Sequence, residues 1–255
     1  MDVKKDFLAS ADGIHDDTEV LQKALDSADE VFFPEGVYKI TACLIFHSNQ
    51  KLIFEKGAVL KRFNDEQKYL LANFTEEEKG NYSSCENVVI DGATFDGNEE
   101  IDFKTTMLNT CQARNVVIKN CTFLNGHTWH YIEINSSENV KIENCVFNSS
   151  YGGNSEKGEQ IQLDYAKIGN YGPVTNFKNE EIKFCPDNTV CRNVEITENT
   201  FYGYGVAPAI GNHTDAPHHN IKIHKNTFVG DFGKRGVVDF VKSTYDTEVF
   251  DNFRK

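Results

Sequence analysis

Hydrophobic and polar positions along this chain recur in a short fixed unit. NVVIDGATF begins at Asn87, NVVIKNCTF at Asn115, NVKIENCVF at Asn139, NVEITENTF at Asn193 and NIKIHKNTF at Asn220. Asn stands first in each, Val or Ile second, Ile fourth and Phe ninth. Apolar second and fourth positions alternating with Lys, Glu or Val give the period-two pattern of a strand with one face buried. The starting asparagines are 28, 24, 54 and 27 residues apart, and the 54 reads as one coil plus a long insertion or an extra degenerate coil. Periods of this size mark a stacked array. A second alternating run follows the Phe, as in YIEIN from Tyr131 and QIQLD from Gln160. Two or three short strands per repeat predict an all-β chain folded as a parallel β-helix, one unit to a rung.

Rungs about 4.8 Å apart place equivalent residues over one another, so each column becomes a ladder. The seventh position holds Ala93, Cys121, Cys145, Asn199 and Asn226, thiols giving way to amides that can bond along the stack. The ninth holds Phe95, Phe123, Phe147, Phe201 and Phe228, an aromatic spine for the core. These positions are structural. From Asp16, DDTEVLQKALDSA spaces Val20, Leu21, Ala24 and Leu25 as a short amphipathic helix, with Asp and Thr near its start. That helix is expected to cover the N-terminal end of the solenoid, whose backbone edge would otherwise recruit another chain. The expected organisation is one domain over 1–255: a cap to about residue 30, coils over 31–255, and a loop insertion or degenerate coil at 166–190. TEVFDNFRK resembles the opening of a further rung without a visible cap, which leaves that edge available for an oligomeric contact.

Composition narrows the partners. With 26 Lys and Arg against 39 Asp and Glu, the net charge of −13 opposes the phosphate neutralisation that nucleic-acid binding needs. A run of eighteen apolar residues is absent and MDVKKDFLAS lacks a signal-peptide core, so neither a membrane span nor an export signal is expected. An extracellular, phage or cell-surface location is expected if the chain is exported. Seven cysteines, an odd number, do not form a small secreted disulfide framework; buried thiols are the default, with Cys185–Cys191 as one pair able to close a loop.

DGIHDDTEVLQKAL followed by VFFPEGVYKI, continued by the five NVxI units, resembles the pectate-lyase-like right-handed parallel β-helix superfamily, which includes polygalacturonases, pectate lyases and phage depolymerases. GHTWHYIEINSSENVKIENCVF is similar to a segment of the polygalacturonase branch. That resemblance implies glycoside hydrolysis in a groove formed by outward side chains of stacked strands. The branch's consecutive aspartate pair and its Gly-His-Gly segment do not follow here, so its particular activity does not transfer. The superfamily also holds lyases, epimerases and noncatalytic adhesins, among which fold alone does not choose.

Outward positions of the second strand run are where chemistry is expected. Aligning Ile132 and Ile134 with Ile161 and Leu163 sets Tyr131 over Gln160, Glu133 over Gln162 and Asn135 over Asp164. Levelling Ile210 with Ile161 brings Gly211 beside Gln162 and His213 beside Asp164. Asp239 projects outward from GVVDFV, and Asp215, Trp129 and His130 lie at the margin. Aromatic faces and hydroxyl-bonding amides in one column describe a saccharide groove. Glycoside hydrolysis takes two carboxyl groups, about 6.5–9.5 Å apart for inversion and about 5 Å for retention. One rung of about 4.8 Å and two residues of about 6.8 Å separate Glu133 and Asp164 by roughly 8 Å along the backbone. They are the expected acid and base, with His213 orienting Asp164, and the expected reaction is hydrolysis of a bound polysaccharide without a cofactor. A lyase would want Arg or Lys as base, with calcium as a candidate cofactor, and none of the five arginines is expected in the column. The alternatives are a noncatalytic carbohydrate-binding, phage-tail or adhesin module, and a lyase or epimerase. The three histidines of NHTDAPHHN lack metal-site spacing and read as a polar loop, so no metal site is expected.

Overall fold

The repeated units stack in parallel and in register. A computed structural model of the chain describes residues 1–64, 69–73, 79–101, 104–126, 129–148, 158–167, 174–175, 178, 180–212, 214–240 and 245–255. Among these residues, strands fall into three parallel sheets of eight, nine and seven members. The first sheet carries the NVxI segments and runs from Glu30–Phe33 to Tyr245–Phe250. The second carries the Phe of each unit, and the third runs from Leu44–Phe46 through Ile132–Asn135 and Ile161–Asp164 to Val238–Phe240. One coil visits all three, as in Ala113–Lys119, Thr122–Leu124 and Ile132–Asn135, and the core lies between them. The chain is a parallel β-helix.

The columns are as the repeat predicts. Phe95, Phe123, Phe147, Phe201 and Phe228 stack with centroids 4.9, 4.9, 4.6 and 5.2 Å apart. Asn199 donates to Asn226 and Asn226 to Asn252, each at 3.0 Å, so the seventh-position amides form a buried ladder. The first Asn of each unit has its own role. Asn87, Asn115, Asn139, Asn193 and Asn220 all adopt positive φ, between 50° and 58°. Asparagine tolerates that left-handed conformation better than other residues bearing a Cβ. Each of these side chains donates to its counterpart on the preceding coil at 2.8–3.0 Å, starting from Asn49, which makes an exposed amide ladder along one corner.

The helix spans Thr18–Ser27 and occupies the place of the third sheet one rung before Leu44–Phe46. Leu21, Ala24 and Leu25 are buried and Val20 packs at the margin. The side chain of Gln22 accepts from Ile45 N at 2.8 Å and donates to Ile45 O at 2.9 Å, so an amide replaces the missing neighbour of the edge strand. Asp17 does not cap the helix as the pattern predicts; its carboxylate accepts from Ser10 N and Ala11 N and ties down the preceding segment instead. On the last rung Tyr245, Val249, Phe250 and Phe253 are exposed.

The insertion at 166–190 contains a short antiparallel pair, Val174–Thr175 with Glu181–Ile182. Its later part runs back along the corner between the third and first sheets. Gln112 exchanges hydrogen bonds with the Cys185 backbone at 2.6 and 3.3 Å, Ser136 Oγ donates to Thr189 O at 2.5 Å and Tyr82 OH to Val190 O at 2.8 Å. Phe184 packs on a second apolar cluster of Cys43, Ile45, Tyr69, Ala72, Cys111 and Ala166. Cys185 and Cys191 are separate thiols, and Cys191 Sγ donates to Ile134 O and Asp164 O instead.

Candidate functional site

Inward Ile132, Ile134, Ile161, Leu163 and Ile210 fix the register of the third sheet, because a one-residue slip would turn the whole apolar set outward. Glu133 pairs with Gln162, Asn135 with Asp164, Gln162 with Gly211 and Gly211 with Asp239. The outward column therefore reads Asn109, Glu133, Gln162, Gly211, Asp239, with Cys111, Asn135 and Asp164 two residues along.

From Asn109 to Asp164 the column is closed rather than open to solvent, while Asp239 at its far end is partly exposed. Glu133 is 5% exposed, Gln162 and Asp164 2%, and Asn109 and Asn135 are fully buried. Burial pushes the Glu133 carboxyl up to about 7, and the Asp164 carboxylate adds to the rise. The Asn135 and Asn109 amides and the Thr106 hydroxyl act in the opposite direction. Thr106 Oγ1 is 3.4 Å from Glu133 Oε2, and among the described residues neither amide closes a well-formed hydrogen bond. Asp164 accepts from Tyr165 N at 2.8 Å, Thr214 Oγ1 at 2.9 Å and Gln162 Nε2 at 3.2 Å. The expected pair thus consists of a carboxyl able to hold its proton at neutral pH beside a carboxylate that accepts from Tyr165, Thr214 and Gln162 among the described residues.

Several expected groove residues lie elsewhere. Tyr131 is 4% exposed and turns inward, its ring 6.0 Å from Phe123 and 5.9 Å from Phe147. It belongs to the core because it precedes the strand, where the chain still bends and the alternation does not yet hold. Gln160, at the same level, donates to Tyr202 O at 2.6 Å in the turn and does not face a groove. His130 is buried and donates to Glu159 O at 2.7 Å. Trp129 is half-buried ahead of the strand, and Asp215 is exposed and accepts from Tyr165 OH at 2.9 Å. His213 lies outside the described residues. His218, read as part of a polar loop, is buried: Nδ1 accepts from Cys191 N, Nε2 donates to Leu163 O at 3.1 Å, and burial lowers its pKa to about 4. It is a neutral structural tie.

Two groups were missed by the sequence reading. Asn109 sits directly beneath Glu133 and was discoverable by aligning Leu108 with Ile132. Arg235 corrects the expectation that no arginine reaches the column: Nε bonds Asp239 Oδ2 at 2.6 Å and Nη1 the fully buried Glu159 at 2.5 Å. No local spacing announces that contact with Glu159, seventy-six residues away. Among the described residues, no group of three or more His, Cys, Asp or Glu is arranged to hold a metal.

With this geometry in place, the sequence model of the family described as Rhamnogalacturonase A/epimerase, pectate lyase-like matches residues 1–234. The chain belongs to that family. It is also 29% identical over 259 residues to Plasmin and fibronectin-binding protein A of Streptococcus pneumoniae, covering 88% of this chain and 35% of that protein. The chain therefore spans about a third of the length of that curated relative. A crystal structure of that surface adhesin, PfbA, superposes with a TM-score of 0.75 at 19% identity, covering 100% of this chain and 71% of the other. The Thermotoga maritima exopolygalacturonase gives 0.60 at 16% identity, covering 97% and 67%. The tailspike of E. coli bacteriophage HK620, crystallised with a pentasaccharide, gives 0.66 at 14%, covering 95% and 42%. These superpositions establish the right-handed β-helix fold and leave function open between enzymes and adhesins.

Proposed function

We infer that this chain is a noncatalytic, surface-acting binding module of the adhesin kind, with an extracellular polysaccharide as its target. The observation that carries this reading is the closure of the Glu133–Asp164 column. A glycan chain cannot straddle two carboxyl groups that are 5% and 2% exposed, and in-line attack by water needs room between them. The similarity to an adhesin over 88% of the chain supports the same conclusion. Binding then uses the open outer faces of the coils. Immobilised polysaccharides, neutral and acidic, probed with the purified chain test it: retention on at least one glycan that survives Glu133→Gln and Asp164→Asn supports the reading, and no retention on any refutes it.

A second reading has one observation in its favour. The Glu133 carboxyl, with its pKa near 7, is suited to donate a proton to a leaving group, while Asp164 serves as base. This hydrolase reading requires the residues covering the column to move before substrate enters.

A further inference from the structure

The buried amide ladder has an open end. In the later coils the backbone N–H of the seventh position donates to the asparagine side chain of the coil that follows: Cys145 N to Asn199 Oδ1 at 2.8 Å, Asn199 N to Asn226 Oδ1 at 3.0 Å and Asn226 N to Asn252 Oδ1 at 2.9 Å. Among the described residues the Asn252 N–H has no such cap. The outward columns stop in the same way on Tyr245–Phe250, the outermost strand of the first sheet. At the third position Lys141, Glu195, Lys222 and Glu248 alternate in sign from coil to coil. Glu248 is exposed and has no ion pair among the described residues. The rings of Tyr245 and Phe250 lie on His219 and His224, centroids 4.9 and 4.8 Å apart, and both remain exposed.

These columns specify what fits on the edge. Apolar residues flanking a cation would set the cation on Glu248, and a ring or guanidinium would stack on Tyr245 and Phe250. An asparagine oxygen would take the Asn252 N–H. A second copy fits poorly. Paired edge to edge about a two-fold axis, the strand would bring Asp246 and Glu248 against the acids of its counterpart, and like charges across a strand pair are destabilising. Head-to-tail addition meets an occupied edge, because the first strand of that sheet, Glu30–Phe33, is already taken by the N-terminal residues. Phe32 N donates to Met1 O at 2.7 Å and Val3 N to Phe32 O at 3.0 Å. The second sheet is the poorer template, since its aromatic column ends with Arg254 over Phe228, and an inward-facing charge blunts an edge. The first sheet therefore offers the addition site, and its chemistry asks for a single basic strand.

We propose that the Tyr245–Phe250 edge docks a β-strand of a partner protein, one with an apolar–Lys–apolar alternation followed by Asn. This site lies at the end of the solenoid and stands independently of polysaccharide binding and of the Glu133–Asp164 column. The test is fluorescence anisotropy of a labelled synthetic peptide, HNIKIHKNTF, the sequence of residues 219–228, titrated with the purified chain. Repeating the register that His219–His224 keeps with Tyr245–Phe250 sets its lysine on Glu248 and its asparagine on Asn252. Saturable binding is expected. Glu248→Lys in the chain should weaken it about fivefold, as attraction across the strand pair gives way to like-charge contact, and a peptide carrying Lys222→Glu should regain that factor on the Glu248→Lys chain. Asn226→Ala in the peptide should also cost about fivefold, the worth of one hydrogen bond. The thermal midpoint of Glu248→Lys should stay close to wild type, since the site is exposed. No saturable binding to the wild-type chain, or an affinity indifferent to both charge changes, would overturn the proposal. So would a concentration-dependent dimer of the chain that the peptide dissociates, which would make a second copy the occupant.

Discussion

Truncating Phe147 to Ala probes the stacked core where it is least able to relax. The ring is fully buried, 4.9 Å from Phe123 and 4.6 Å from Phe201, with interplanar angles of 2° and 4°. Tyr131 closes a third side at 5.9 Å. Phe→Ala in a core costs about 3–5 kcal/mol, the higher values where the cavity stays open. Here the rungs on either side are held at their spacing by ladder hydrogen bonds, so the gap cannot collapse. Two stacked pairs, each worth about 0.5–1.5 kcal/mol beyond area, are lost as well. We expect about 4–5 kcal/mol, read as a fall in the urea midpoint of roughly 1.5 M if the slope is about 3 kcal/mol per M. Phe253→Ala, at a site 61% exposed, should change stability by no more than about 0.5 kcal/mol. A loss below about 1.5 kcal/mol at Phe147 would refute the rigid-stack argument.

Other substitutions separate the remaining contributions. Asn139 donates to Asn115, accepts from Asn193 and holds φ at 53°, so Asn139→Ala should cost about 1–2 kcal/mol in chemical unfolding. Asn139→Gly should recover about half of that by removing the strain alone. Gln22→Leu leaves the Ile45 N–H and C=O unpaired at the buried sheet edge, and should destabilise by about 2 kcal/mol or more. Glu133 binds its proton more tightly folded than unfolded, its pKa rising from 4.5 to about 7. Its contribution is therefore fully present below pH 4.5 and is lost as pH rises through 7, by on the order of 3 kcal/mol. Thermal or urea unfolding at pH 5 and pH 8 should show that slope, and Glu133→Gln should flatten it.

The sequence made the fold legible because the buried positions repeat. Ile and Phe at fixed places in each unit set both the period and the phase, and the phase alone put Glu133 beside Gln162 and Asn135 beside Asp164. The same logic failed one residue earlier. At Tyr131 and Gln160 the chain is still leaving a turn, and alternation carries no information there about which way a side chain points. The closure of the column was not legible either. At the earlier end of the same sheet Phe184, from within the insertion, packs on the cluster that holds Ile45, Ala72 and Cys111, and its pattern in EIKFCPDN does not say which surface it seeks. Ionic contacts between distant loops, such as Arg235 with Glu159, have the same character. The first Asn of each unit could have been explained from sequence, since five asparagines at one position point to a left-handed backbone conformation.

The central claim is that the closed Glu133–Asp164 column turns over no glycan and that ligand binds on the open outer faces of the coils instead. The direct measurement incubates the purified chain with a panel of neutral and acidic polysaccharides, following new reducing ends and the absorbance of unsaturated products together. The account predicts that neither signal rises above a protein-free control, on glycans that the chain nevertheless retains. New reducing ends without the unsaturated chromophore, lost in Asp164→Asn and Glu133→Gln at unchanged thermal stability, would contradict it and establish the pair as a hydrolytic centre.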